Sequence, residues 1–120
     1  MVTQTESALK NLSAVERSAV LEFLERVHSA FGAQIQQAML FGSKARREAT
    51  ADSDIDILLI VADETWQFKD EICSISSDVS LRYDVLLDAR VIGAARWQYM
   101  SEIRAGLYQN ISREAIPLAI

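Results

Sequence analysis

Asp54-Ile55-Asp56, at the head of the apolar run 57–61, are two carboxylates whose type and spacing could do chemistry. Alternate side chains of a strand share a face, so Asp54 and Asp56 point the same way, about 7 Å apart at the backbone, and can converge on one ion. Upstream, the apolar run Ala38-Met39-Leu40-Phe41 stops at Gly42-Ser43, and Lys44, Arg46 and Arg47 follow at once. Glycine lets the backbone approach a ligand, and the first turn of a helix presents unpaired N–H groups that favour an anion. Ser43 adds a hydroxyl donor. Ten residues separate Ser43 from Asp54, enough for a short helix and a return loop that bring the turn beside the carboxylates. The chemistry this suits is that of phosphate and metal. A Gly-Ser pair is a weak signal alone, since any strand-to-helix turn can use one as a cap; it gains weight from the carboxylates that follow.

A third carboxylate stands out further along. The pattern over 82–87, RYDVLL, predicts a strand in which Asp84 occupies a position expected to be apolar. A charge there costs several kcal/mol unless it is paired or bound to a metal. If Asp54, Asp56 and Asp84 close to about 5 Å, each like-charge pair costs about 3 kcal/mol at an effective dielectric of about 20, and a divalent ion reverses that sign. The bland alternative is that the two aspartates cap a strand and Asp84 makes a structural ion pair.

Taken together, FGSKAR, SDIDILLIV, YDVLL and EIRAGLY resemble the minimal nucleotidyltransferases of the DNA polymerase beta superfamily, over about residues 38–108. The resemblance implies the nucleotidyltransferase fold, of α/β (α+β) class: a small mixed sheet with helices packed mainly on one face. It implies transfer of AMP from ATP, with two Mg2+ ions roughly 3.5–4 Å apart held by Asp54, Asp56 and Asp84. Gly42 and Ser43 would cradle the terminal phosphates. Lys44 and Arg46 are candidates for phosphate charge, although Arg46 could equally brace the loop through Asp52, and Lys44 or Arg47 singly could lie on a solvated helix face. The chain departs from the family pattern at Arg47, where members carry Gly after the Ala-Arg pair. Small members are often antitoxins paired with a HEPN-domain toxin, and some adenylylate it. The alternatives are an antitoxin acting by occlusion and an enzyme that nucleotidylates a small molecule such as an aminoglycoside, which would need an acceptor pocket closed across a homo-oligomer.

The elements that must position these residues follow from periodicity. Ser13-Ala14-Val15-Glu16 fits a capping box, so a helix starts there. Val20, Phe23, Leu24, Val27 and Phe31 form its apolar stripe, and Gly32 is placed to end it. His28 flanks that stripe, as a boundary residue or, less favoured, a catalytic one. A strand over 36–41 leads to the Gly-Ser turn, and the continuous apolar run 55–61 suits a central strand covered on both faces. Asp63 or Thr65 could cap the next helix, with Phe68, Ile72, Ile75 and Val79 inward. Asp63, Glu64, Asp70 and Glu71 read as surface charges and Cys73 as a small buried hydrophobe. Asp88 could cap a last helix through Ile92, Trp97 and Ile103 to about Gly106. Trp97, Tyr99 and Tyr108 are candidates for a partner contact or for ordinary core.

The 120 residues suit one domain, with little pattern over 1–11 and none that assigns 109–120, where Pro117 argues against a long helix. There is no apolar stretch of the roughly 20 residues that span a bilayer and no leader, which points to the cytoplasm. One cysteine excludes an internal disulfide and a Cys-based metal framework. A net charge of −5 argues against extensive nucleic-acid binding, whereas the local basic cluster after Gly42-Ser43 suits a triphosphate. The chain ends too early for the helical acceptor domain of larger relatives, so the acceptor is expected on another molecule.

Overall fold

The structure, a computed structural model, describes residues 10–46 and 54–119. Helix α1 (Ala14–Phe31) opens on the capping box read in the sequence: the Glu16 N–H donates to Ser13 Oγ at 3.1 Å, and the Ser13 N–H donates to Glu16 Oε1 at 2.9 Å. Val20, Phe23, Leu24 and Val27 are buried, and Gly32 closes the helix by donating its N–H to the His28 carbonyl. His28 itself is exposed, as a boundary residue would be. A 3-10 turn, Gly32–Gln34, leads into β1 (Ile35–Phe41), and α2 (Ser43–Arg46) follows Gly42. Next come β2 (Ile55–Val61), α3 (Trp66–Tyr83), β3 (Leu87–Gly93), α4 (Ala94–Glu102), α5 (Gly106–Glu114) and β4 (Ile116–Leu118). Thr65 caps α3, its Oγ1 accepting from the Phe68 N–H at 3.2 Å.

The four strands form one mixed sheet in the order β3-β2-β1-β4. β1 runs antiparallel to β2 and β4, and β2 runs parallel to β3, which the intervening α3 makes feasible. Pro117 lies in β4, the edge strand, where a missing N–H costs least.

Residue parity divides the core. Ile55, Ile57, Leu59 and Val61 pack with α1 and α3, while Leu58 and Ile60 join Ile92, Met100 and Ile111 on the other face. All six apolar residues of β2 are at most 1 % exposed. At about 1.5–3 kcal/mol for each buried side chain, β2 outweighs any single surface interaction in the molecule. The two long helices lie on one face, as expected, but the other face is not bare: α4 and α5 cover part of it, with the Trp97 and Tyr108 rings 4.8 Å apart. Those two aromatics are therefore core-packed, whereas Tyr99 is exposed.

Four expectations are corrected. The third strand is not 82–87: α3 continues to Tyr83, and the strand begins at Leu87. The helical stripe of α3 extends to Tyr83, which packs against the first core, and the exit is fixed by hydroxyls, Ser76 Oγ donating to the Leu87 carbonyl at 2.6 Å and the Leu87 N–H donating to Ser80 Oγ at 3.1 Å. Asp88 caps no helix, because it lies within β3. Cys73 is exposed rather than buried. Glu64 is no idle surface charge: it accepts from the Gly93 N–H at 2.6 Å and pairs with Lys69 at 2.5 Å and Arg96 at 3.0 Å, tying α3, β3 and α4 together.

Candidate active site

Asp56 is the second residue of β2, and Asp54 stands immediately before the strand. Asp56 lies on the same face as Leu58 and Ile60, and α4 and α5 reach only the latter end of that face, leaving Asp56 half-buried and Asp54 exposed. Opposite Asp56 on β1 is Phe41, and the next residue is Gly42. Gly42 has φ +75°, a conformation that costs an L side chain roughly 1–2 kcal/mol and glycine almost nothing. A Cβ added there would overlap Asp56 Oδ2 and lie 3.2 Å from its Cγ. The turn and the carboxylate are thus in direct contact, as the spacing in the sequence required. After Gly42 the chain enters α2 immediately, the Ala45 N–H donating to the Gly42 carbonyl at 3.1 Å. The side chains of Ser43 and Arg46, together with Arg47, the loop over 49–53 and its Asp52, lie outside the described residues.

Asp84 is not in a strand. It ends α3 in the left-handed conformation, φ 52° and ψ 47°, its N–H donating to the Ser80 carbonyl, and it is exposed. A short polar side chain tolerates that conformation, and exposure removes the burial cost that pointed to a metal. The sheet position beside Asp56 is held instead by Asp88, its direct partner in the parallel β2–β3 ladder. Asp88 was masked in the sequence by the apparent strand five residues earlier; counting β3 from the end of the α3 stripe would have found it.

Lys44 also departs from its expected role. Its side chain is 4 % exposed and turned inward, with Nζ 2.5 Å from Glu16 Oε2. An ammonium buried against a carboxylate in the core is not presented to a phosphate. Burial alone would push the Glu16 carboxyl up, but hydrogen bonds from Lys44 and the Ser13 backbone, with the Lys44 charge, hold it below the usual carboxylate value. A cation the sequence reading missed is Arg90, two residues beyond Asp88, with its guanidinium carbon 5.9 Å from the centroid of the Phe41 ring. It also lines a groove of about 280 Å³ with Lys69, Cys73, Arg96 and Leu107.

Asp56 on β2, Asp54 just before that strand and Asp88 beside Asp56 on β3 are hard oxygen donors of the kind suited to a divalent ion such as Mg2+. Among the described residues, no three His, Cys, Asp or Glu side chains are already converged on one such ion. Among the described residues, no helix is long and apolar enough to cross a membrane.

Comparison with known proteins places the chain in a family. Residues 25–104 match the family model described as polymerase beta, nucleotidyltransferase. "Putative protein adenylyltransferase MJ0604" of Methanocaldococcus jannaschii is 37% identical over 99 residues, spanning 82% of this chain and 93% of that protein. Among solved structures, a toxin-antitoxin with AMP-PNP superposes with a TM-score of 0.56 at 19% identity, over 82% of this chain and 71% of that one. The structure of "a putative nucleotidyltransferase from Sulfolobus solfataricus" superposes with a TM-score of 0.51 at 22% identity, over 92% of this chain and 85% of that one. At those identities the two structures speak for the fold alone. The chain belongs to the polymerase beta nucleotidyltransferase family.

Proposed function

We propose that the chain transfers AMP from ATP to a hydroxyl group of a partner protein, and that the partner is the HEPN-type toxin of a toxin–antitoxin pair in the cytoplasm. The observation that carries the reading is the contact between Gly42 and Asp56, which sets the Gly-Ser turn against a carboxylate on the open end of the sheet. The name of the M. jannaschii relative supports protein adenylylation, and the toxin-antitoxin neighbour with AMP-PNP supports the nucleotide and the class of partner.

In this reading the backbone of the Gly42-Ser43 turn holds the phosphates of ATP. The acceptor oxygen bonds the α-phosphorus, the bond from that phosphorus to the β-phosphate oxygen breaks, pyrophosphate leaves and the hydroxyl proton passes to solvent. Asp54 and Asp56, with Asp88 in place of Asp84, would hold Mg2+. When bound, the ion neutralises phosphate charge and lowers the pKa of the acceptor hydroxyl. Asp88 lies on the edge strand, so the acceptor approaches from the β3 side, past Arg90. The exposed apolar residues Tyr99, Ile103 and Leu107 lie in α4, α5 and their connection, and offer contact area to the protein that brings it.

A second reading is an antitoxin that acts by occlusion. One assay separates the two: α-labelled ATP and Mg2+ added to a lysate of the protein's own cells, beside an Asp54→Ala, Asp56→Ala double variant. A protein band labelled by the wild type alone is the expected result. No labelled band, with both versions retaining the same partner on a column, would replace transfer by occlusion.

A further inference from the structure

Helix α2 is a single turn of four residues, too short to hold its own conformation, yet it begins at the turn that presses on Asp56. Besides resting on β1 and β2, it is tied by side chains to the start of α1. Glu16 uses its two carboxylate oxygens for two tasks: Oε1 accepts from the Ser13 N–H and closes the capping box, while Oε2 pairs with Lys44 inside α2. The Glu16 side chain is only 12 % exposed and that of Lys44 4 %. A second tie runs in parallel, Asn11 Nδ2 donating to the Ala45 carbonyl at 3.4 Å. A buried ion pair is a poor way to gain stability, since apolar residues of similar volume do as well or better; its attested use is to fix one arrangement against others. Here the arrangement fixed is the rotation and depth of α2, and with it the direction of the backbone N–H groups at its head. A lysine in a basic run that follows a Gly-Ser turn would ordinarily be assigned to phosphate; this one is buried and pairs with Glu16.

We propose that Glu16 is a positioning residue for nucleotide binding: acting through Lys44, it sets the Gly42-Ser43 turn against Asp56 in the geometry that receives the phosphates. This rests on the nucleotidyltransferase reading of the site and deepens it. Glu16 touches neither nucleotide nor acceptor, so its loss should be felt as weakened ATP affinity with the rate at saturation largely kept.

The test compares ATP binding by titration calorimetry, transfer kinetics, and hydrogen–deuterium exchange over 40–46, in the full chain. Glu16→Gln is expected to raise Kd and KM for ATP about tenfold, to change kcat less than about threefold, and to speed exchange over 40–46 more than elsewhere. Glu16→Asp, which keeps the charge, should recover most of the affinity. Glu22→Gln serves as control, because Glu22 joins Arg26, Arg82 and Tyr83 instead; it should lose stability without losing affinity. Should Glu16→Gln fail to fold, Asn11→Ala, which loosens the second tie, is expected to weaken ATP binding in the same sense with unchanged kcat. Wild-type affinity in a folded Glu16→Gln protein, equal losses in the Glu22→Gln control, or no effect of Asn11→Ala would each overturn the proposal. Failure of the wild-type chain to bind ATP at all would instead refute the reading on which it rests.

Discussion

Gly42 holds its backbone at φ +75° directly against the Asp56 carboxylate, leaving no room for a Cβ. Gly42→Ala therefore combines left-handed strain of about 1–2 kcal/mol with displacement of Asp56. The expected outcome is a fall in melting temperature of several degrees and a loss of transfer out of proportion to it. Thermal unfolding and labelled-ATP transfer, measured on the same preparation, check this. Unchanged activity would mean that the turn can retreat without cost.

Asp88 and Asp84 make opposite predictions. Asp88→Asn should reduce transfer at least about a hundredfold, the loss of roughly 2.7 kcal/mol in the transition state, with melting unchanged. Asp84→Asn keeps a residue that tolerates the left-handed cap and should leave transfer within about threefold of wild type. The reverse pattern would restore Asp84 as the third carboxylate and require the α3–β3 turn to rearrange when substrate binds.

Acid stability tests the two structural carboxylates. For Glu64, burial alone would push the pKa up, but hydrogen bonds from Lys69 and the Gly93 N–H, with the charges of Lys69 and Arg96, hold it below 4.5, as other partners do for Glu16. A carboxylate with a depressed folded-state pKa contributes stability that is complete above its unfolded value and fades as pH falls through the folded one. Urea unfolding should thus be flat from pH 7 to about 5 and weaken below about 4.5. Removing Glu64 by Glu64→Gln should make that slope shallower.

Arg90 provides the fourth test. Exposed on β3, two residues from Asp88 and above Phe41, it puts a positive charge beside the Asp56 and Asp88 end of the sheet. Arg90→Ala is expected to leave melting within about 0.5 kcal/mol, as for most surface changes, and to weaken transfer to the partner more than ATP binding. Equal losses in both would move Arg90 to the nucleotide side.

The sequence and the structure agree most closely where a pattern is local and periodic. The capping box at Ser13 and Glu16, the stripe Val20, Phe23, Leu24, Val27 and the two-sided burial of 55–61 all follow from near neighbours along the chain. The contact of Gly42 with Asp56 was also readable, because a strand, a short return and a strand leave little freedom in where they meet. Asp84 was placed in a strand because Tyr83-Asp84-Val85-Leu86 alternates like one, while the true boundary, which leaves Asp88 and not Asp84 beside Asp56, depends on Ser76 and Ser80 hydroxyls bonding Leu87 from one and two turns back along α3. The inward turn of Lys44 was hidden for a similar reason: Glu16 lies 28 positions away, on a helix whose approach no local pattern reveals.

Along β2 the odd positions and the even positions answer to different demands. Replacing Ile57 or Leu59 removes packing on which folding depends, whereas Asp54 and Asp56 sit where the opposite face runs out of cover. Drift at the aspartates is therefore cheap for the fold. A descendant could lose its chemistry by two substitutions and keep the same shape, the same edge strand and the same surface for a partner, so that catalysis and recognition can part company without the sheet registering the change.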